Sequence, residues 1–128
     1  MTSSERASVQ NEINRLMSHP DALCRQMGSR GAGMFQNDQI SAYDEPNAPM
    51  NQSGPPGESY GDTHTDINGN AVMHIGAMQR RANGSIQQIS SSEFQTLTGH
   101  ELVHATFGYA DNIPEFSAMR QRCGKSRS

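Results

Sequence analysis

Five residues in the last third of the chain carry a spacing that can do chemistry: His100-Glu101-Leu102-Val103-His104, an HExxH pattern. On a helix of 3.6 residues per turn, His100 and His104 lie about 40° apart on one face, one turn displaced along the axis. Two imidazoles so placed can share one Zn²⁺ at roughly 2.0–2.1 Å. Glu101 sits beside the first of them, and its carboxylate can take a proton from a water that the ion acidifies. With five His and seven Glu in 128 residues, chance yields about 0.01 such patterns, so the motif weighs heavily. A mononuclear zinc hydrolase needs a third protein ligand and one open position. Asp111 and Glu115 are the acidic residues that follow closely. Glu115, with its longer side chain in the first turn of a further helix, is the expected ligand, and Asp111 is the alternative, with a helix cap as its other explanation.

The elements that must position these groups are legible around them. Ser90 precedes Glu93 by three residues, a capping-box start. The helix that follows carries Phe94, Leu97, His100, His104 and Phe107, and Gly108 is its stop. Pro114 suits the first turn of a last helix, Glu115 to Arg122, ending at Gly124. Upstream, Ala71 to Met78 alternates as a strand, expected to be the edge on which an extended substrate pairs. Asn83-Gly84 marks a turn after it. His74 on that strand is a candidate for lining the site, whereas His19 beside Pro20 and His64 in a polar stretch have ordinary structural explanations.

The first half reads as framework. Val9, Ile13, Leu16 and Met17 make one apolar helical stripe within Ser3 to Met27. His19-Pro20 interrupts it. Asp21 to Met27 forms a second short helix, and Gly28, Gly31 and Gly33 mark a turn region. Gln39 to Tyr43 is a short strand. Residues 44–70 hold four of the six prolines and almost no large apolar residue, which predicts a mobile surface loop.

Composition bounds the rest. Leu, Ile, Val and Phe number 18 of 128, about 14%, and net charge is only −3. That is a thin apolar core, softened by eight Met and open to help from a bound metal, within a single domain of residues 1–128. No window approaches the roughly 18 apolar residues of a membrane span. An acidic balance with scattered Lys and Arg disfavours nucleic acid, and the basic run from Arg120 to Arg127 reads as a solvated tail. Cys24 and Cys123, 99 positions apart, read as free thiols of a reducing compartment. The N-terminus lacks the apolar stretch of a Sec signal.

Thr98-Gly99-His100-Glu101-Leu102-Val103-His104-Ala105 resembles the GHELxHA core of the NleD-like zinc metallopeptidases, bacterial effector proteins and toxin domains. In that family a carboxylate in a following Glu-Asn-x-x-Arg segment completes the metal site, and Asn112 to Arg120 is similar, with Glu115 in the ligand place. The resemblance implies a monomeric zinc endopeptidase that reaches a host cell by a non-Sec route and cleaves host signalling proteins. Without export, the chain would be cytoplasmic. The fold expected is α+β: a small zincin-like metallopeptidase domain with a short sheet packed on the HExxH helix. Two other readings stay open. One is a metal-dependent nuclease, because His100, His104 and Asp111 faintly resemble the HxxxHxxxxxH site of ribosomal RNA maturation endonucleases. The other is a binding module in which zinc only clamps a thin core.

Overall fold

The computed structural model describes residues 1–44 and 60–124. Its elements run α1 (Ser3–Met17), α2 (Ala22–Gln36), β1 (Ile40–Tyr43), β2 (Gly61–Thr65), β3 (Ala71–Gly76), β4 (Met78–Arg80), β5 (Ile86–Gln88), α3 (Ser91–Phe107) and α4 (Pro114–Cys123). The architecture is α+β, with, among the described residues, four helices, a three-stranded sheet ordered β1-β3-β2 and a β4-β5 hairpin. β1 runs parallel to β3, and β2 antiparallel to it.

Local chemistry sets the helix boundaries. Thr2 and Glu5 form a reciprocal capping box on α1. The Asp21 carboxylate accepts the Leu23 N–H at 2.8 Å to start α2, and His19 Nδ1 accepts the Asp21 N–H just before it. Ser90 Oγ accepts the Glu93 N–H at 3.1 Å to start α3, and Gly108 ends it in the left-handed region at φ 70°.

α3 packs against α1 and α2 on one side and against β2 and β3 on the other. Val9, Ile13 and Leu16 from α1, Met73 and Ile75 from β3, and Leu102 and Val103 from α3 are fully buried. Met27, Met34 and Met119 are buried in the same core, as the methionine-rich composition suggests.

Several expectations need correction. The glycines at 28, 31 and 33 lie inside α2 and do not form a turn. A Cβ at Gly28 would stand 2.7 Å from the Met17 backbone nitrogen, so close approach of α1 explains that glycine. The 44–70 segment is not one loop: Gly61–Thr65 is a strand, and residues 45–59 lie outside the described residues. The strand expected over 71–78 ends at Gly76, and it is central, because β1 and β2 flank it on either side. The basic stretch begins as structure: Arg120 and Arg122 belong to α4, and Arg122 pairs with Asp21. Residues 125–128 lie outside the described residues.

The cysteines are not free. Cys24 on α2 and Cys123 at the end of α4 form a disulfide across 99 positions, with Cα atoms 5.4 Å apart. The same end of α4 is held by Arg15, which grips the Glu12 carboxylate bidentately and donates to the Cys123 and Gly124 carbonyls at 2.8 and 2.9 Å. α4 is thereby fixed to α1 and α2 at its far end while its first turn faces α3.

Candidate metal centre and cleft

His100, Glu101 and His104 fall in the second half of α3, where the helix meets β2 and α4. His100 and His104 place their rings 5.2 Å apart, edge to face. Gly108 turns the chain back, and the next segment closes over the pair. His104 Nδ1 lies 2.6 Å from the Tyr109 carbonyl, which can only accept, so Nδ1 carries a proton and, in the neutral ring, Nε2 is the lone-pair atom. Two residues on, Asp111 Oδ1 lies 2.7 Å from His104 Nε2 and 3.1 Å from His100 Nε2.

That contact is the test of whether a cation fits. A lone pair on His104 Nε2 and a carboxylate oxygen at 2.7 Å repel each other unless positive charge lies between them, a proton or a metal ion. Two imidazole nitrogens and one carboxylate oxygen are the donor set of a catalytic zinc site, and the Tyr109 carbonyl supplies the outer hydrogen bond that ligating histidines usually make. The residues fit the ion.

A carboxylate other than the expected Glu115 lies against the histidines. Asp111 reaches the histidines, whereas Glu115 is exposed on the first turn of α4. Phe116 takes the inward place beside it, its ring centroid 4.6 Å from that of His100 and 4.7 Å from that of His104. Phe116 walls the histidines from solvent on that side, and burial holds His100 below the ordinary histidine range, against the pull of Asp111 in the other direction.

Glu101 lies beneath β2, with its carboxylate and the two histidines offering ligand atoms within 4.8 Å of one another. It is 2% exposed. Burial pushes its carboxyl up to about 7, with the Thr63 hydrogen bond and His104 opposing and the charges of Asp111 and Asp62 adding to the rise. Thr63 on β2 donates its hydroxyl to Glu101 Oε1 at 2.8 Å, fixing one carboxylate oxygen. The other, Oε2, stays 3.8 Å from His100 Nε2. β2 comes this close because residue 61 is glycine; a Cβ there would meet Glu101 Cγ at 3.1 Å.

Beside the centre runs an open cleft of about 530 Å³, lined among others by Arg30, Thr63, Glu101, His104 and Asp111. Thr63, Phe116 and Arg30 were not legible as site residues. Thr63 meets Glu101 across 38 positions through strand placement alone, and no local pattern signals it. His64 and His74, expected to be ordinary and site-lining respectively, lie together on the sheet, stacked with ring centroids 5.5 Å apart. No helix among the described residues is long and apolar enough to cross a membrane.

No protein-family profile, curated protein or solved structure matches the chain.

Proposed function

We propose that this chain is a zinc-dependent endopeptidase with a zincin-like arrangement of sheet and HExxH helix. The observation that carries the reading is the convergence of His100, His104 and Asp111 Oδ1, beside the buried Glu101 carboxylate, which Thr63 orients and whose Oε2 stands 3.8 Å from His100 Nε2. Zinc held by His100, His104 and Asp111 would supply Lewis acidity to the scissile carbonyl and lower the pKa of a nearby water toward about 7. Glu101 takes the proton of the attacking water as the C–O bond forms. It then delivers that proton to the leaving amine as the C–N bond breaks, so no covalent enzyme intermediate arises. Thr63 holds one oxygen of that carboxylate still, leaving the other for the proton. Phe116 keeps bulk water from the back of the imidazoles.

Substrate binding falls to β2 rather than to β3. β2 borders the cleft, and no described strand pairs along its outer side, so an extended peptide can add there as a further strand. Arg30 offers a guanidinium to an acidic group of that peptide. The resemblance of residues 98–105 to the NleD-like metallopeptidases supports a secreted effector acting on host proteins, and the Cys24–Cys123 disulfide favours a protein that leaves the reducing cytosol.

Incubation with a mixed peptide library tests the reading. Cleavage within peptides is expected, abolished by a chelator and restored by zinc. A zinc-loaded, folded chain that cuts no peptide of the library would overturn it in favour of a zinc-clamped binding module.

A further inference from the structure

The outer face of the three-stranded sheet carries a second convergence of metal-ligating side chains, none of them from the HExxH helix. Side chains alternate along a strand, so Thr63, which touches Glu101, and Asp62 and His64 point to opposite faces of β2. Asp62 stands directly opposite His74 in the antiparallel register with β3. Asp62 Oδ2 lies 2.9 Å from His64 Nδ1, and Oδ1 lies 3.8 Å from His74 Nδ1. The two imidazoles are nearly parallel, at 4°. All three donor atoms lie within 4.8 Å of one another.

Three features single this cluster out from an ordinary surface group. His74 Nδ1 is buried and has no hydrogen-bond partner, so a ligating atom points into the cluster with nothing to bind. The carboxylate is oriented from behind: Tyr43 on β1 donates its hydroxyl to Asp62 Oδ1 at 3.2 Å, and its ring stacks on His74 at 5.1 Å. Outer hydrogen bonds of that kind accompany ligating carboxylates. The spacing also suits a small ion. Two ligands each about 2.0–2.1 Å from a tetrahedral zinc sit roughly 3.4 Å apart, and the distances of 2.9 and 3.8 Å straddle that value.

We propose that Asp62, His64 and His74 form a second site for a divalent transition metal. Two imidazoles and one carboxylate suit zinc and its neighbours over calcium or magnesium, which take oxygen ligands. An ion there ties the edge strand β2 to the central strand β3, on the face opposite to that on which β2 positions Thr63. The proposal does not depend on peptidase activity.

Zinc stoichiometry by equilibrium dialysis tests it, with circular dichroism confirming that each variant folds. The wild-type chain is expected to hold two zinc ions. His64→Ala, at a half-exposed side chain, should hold one, and so should the His100→Ala/His104→Ala double variant. A wild-type chain holding one ion that His64→Ala releases upholds this site and removes the ion from the HExxH helix. One ion that survives His64→Ala and is lost in the double variant overturns the proposal. If the double variant fails to fold, imidazole ¹⁵N shifts of the wild-type chain decide. Zinc should move the Nδ1 signals of both His64 and His74, and unmoved signals overturn the site.

Discussion

His100 and His104 stand four residues apart on one helix, whereas His64 and His74 belong to two strands and meet only because β2 and β3 pair with Asp62 opposite His74. Both pairs have a carboxylate within hydrogen-bonding reach of at least one imidazole. The helical pair is a property of spacing, since any α-helix brings residues i and i+4 to one face. The strand pair is a property of register, and a slip of one residue would send Asp62 and His64 to the inner face. A site built on a helix is therefore written locally, and a site built across strands is written in the whole sheet.

The two regions also differ in how they are braced, and that gives the largest expected effect. α4 puts Phe116 against His100 and His104 and is fastened at its other end by the Cys24–Cys123 disulfide. Replacing both cysteines by serine should lower unfolding free energy by about 2–5 kcal/mol, as expected for a link closing a long loop. Chemical denaturation measures the loss. Zinc affinity at the helical pair should fall with it, while the outer-face cluster, built on β2 and β3, should keep its ligands.

Next in size is the third ligand. Asp111→Ala should weaken zinc at the helical pair by at least about 10²-fold, more than the loss of an outer-shell partner costs. Glu115→Ala should leave it unchanged. Competition with a chelator of known affinity reads both, and the reverse order would restore Glu115 to the site.

Gly61→Ala probes what the two regions share. The new methyl group would press on the His74 carbonyl at 2.8 Å and on Glu101 Cγ at 3.1 Å, displacing β2 from both neighbours. A destabilisation of about 1–3 kcal/mol is expected, the usual cost of overpacking. Peptidase activity and outer-face metal binding should decline together, and loss of one alone would show that β2 does not link them.

Smallest is Tyr43→Phe, which removes the hydroxyl on Asp62 and keeps the ring on His74. Zinc affinity at the outer face should fall about tenfold, the lower end for an outer-shell partner. The helical pair should be unaffected.

How far the sequence could be read follows the same division. α3 was legible from Ser90 at its start to Gly108 at its stop, and with it His100, Glu101 and His104 on one helix. β2 was hidden because Gly61-Asp62-Thr63-His64-Thr65 has no apolar residue; its inward positions hold a glycine and two threonines where a core strand would show Val or Ile. α2 was truncated on paper because glycine usually breaks helices, while here Gly28 serves the contact with α1. The disulfide was invisible because separation along the chain says nothing of separation in space. Glu115 was preferred over Asp111 on side-chain reach, but the left-handed turn at Gly108 brings the chain back early, and the inward position on α4 goes to Phe116.

The central claim is that Glu101 moves the proton while His100, His104 and Asp111 hold the ion. It is tested most directly by Glu101→Gln, with zinc content and peptide cleavage measured on the same preparation. Glutamine keeps the shape and can still accept the Thr63 hydrogen bond through its carbonyl oxygen, but it cannot take a proton from water. Zinc at the helical pair should be unchanged and the rate lower by at least about 10². Full activity in that variant, or loss of the zinc with the carboxylate, would contradict it.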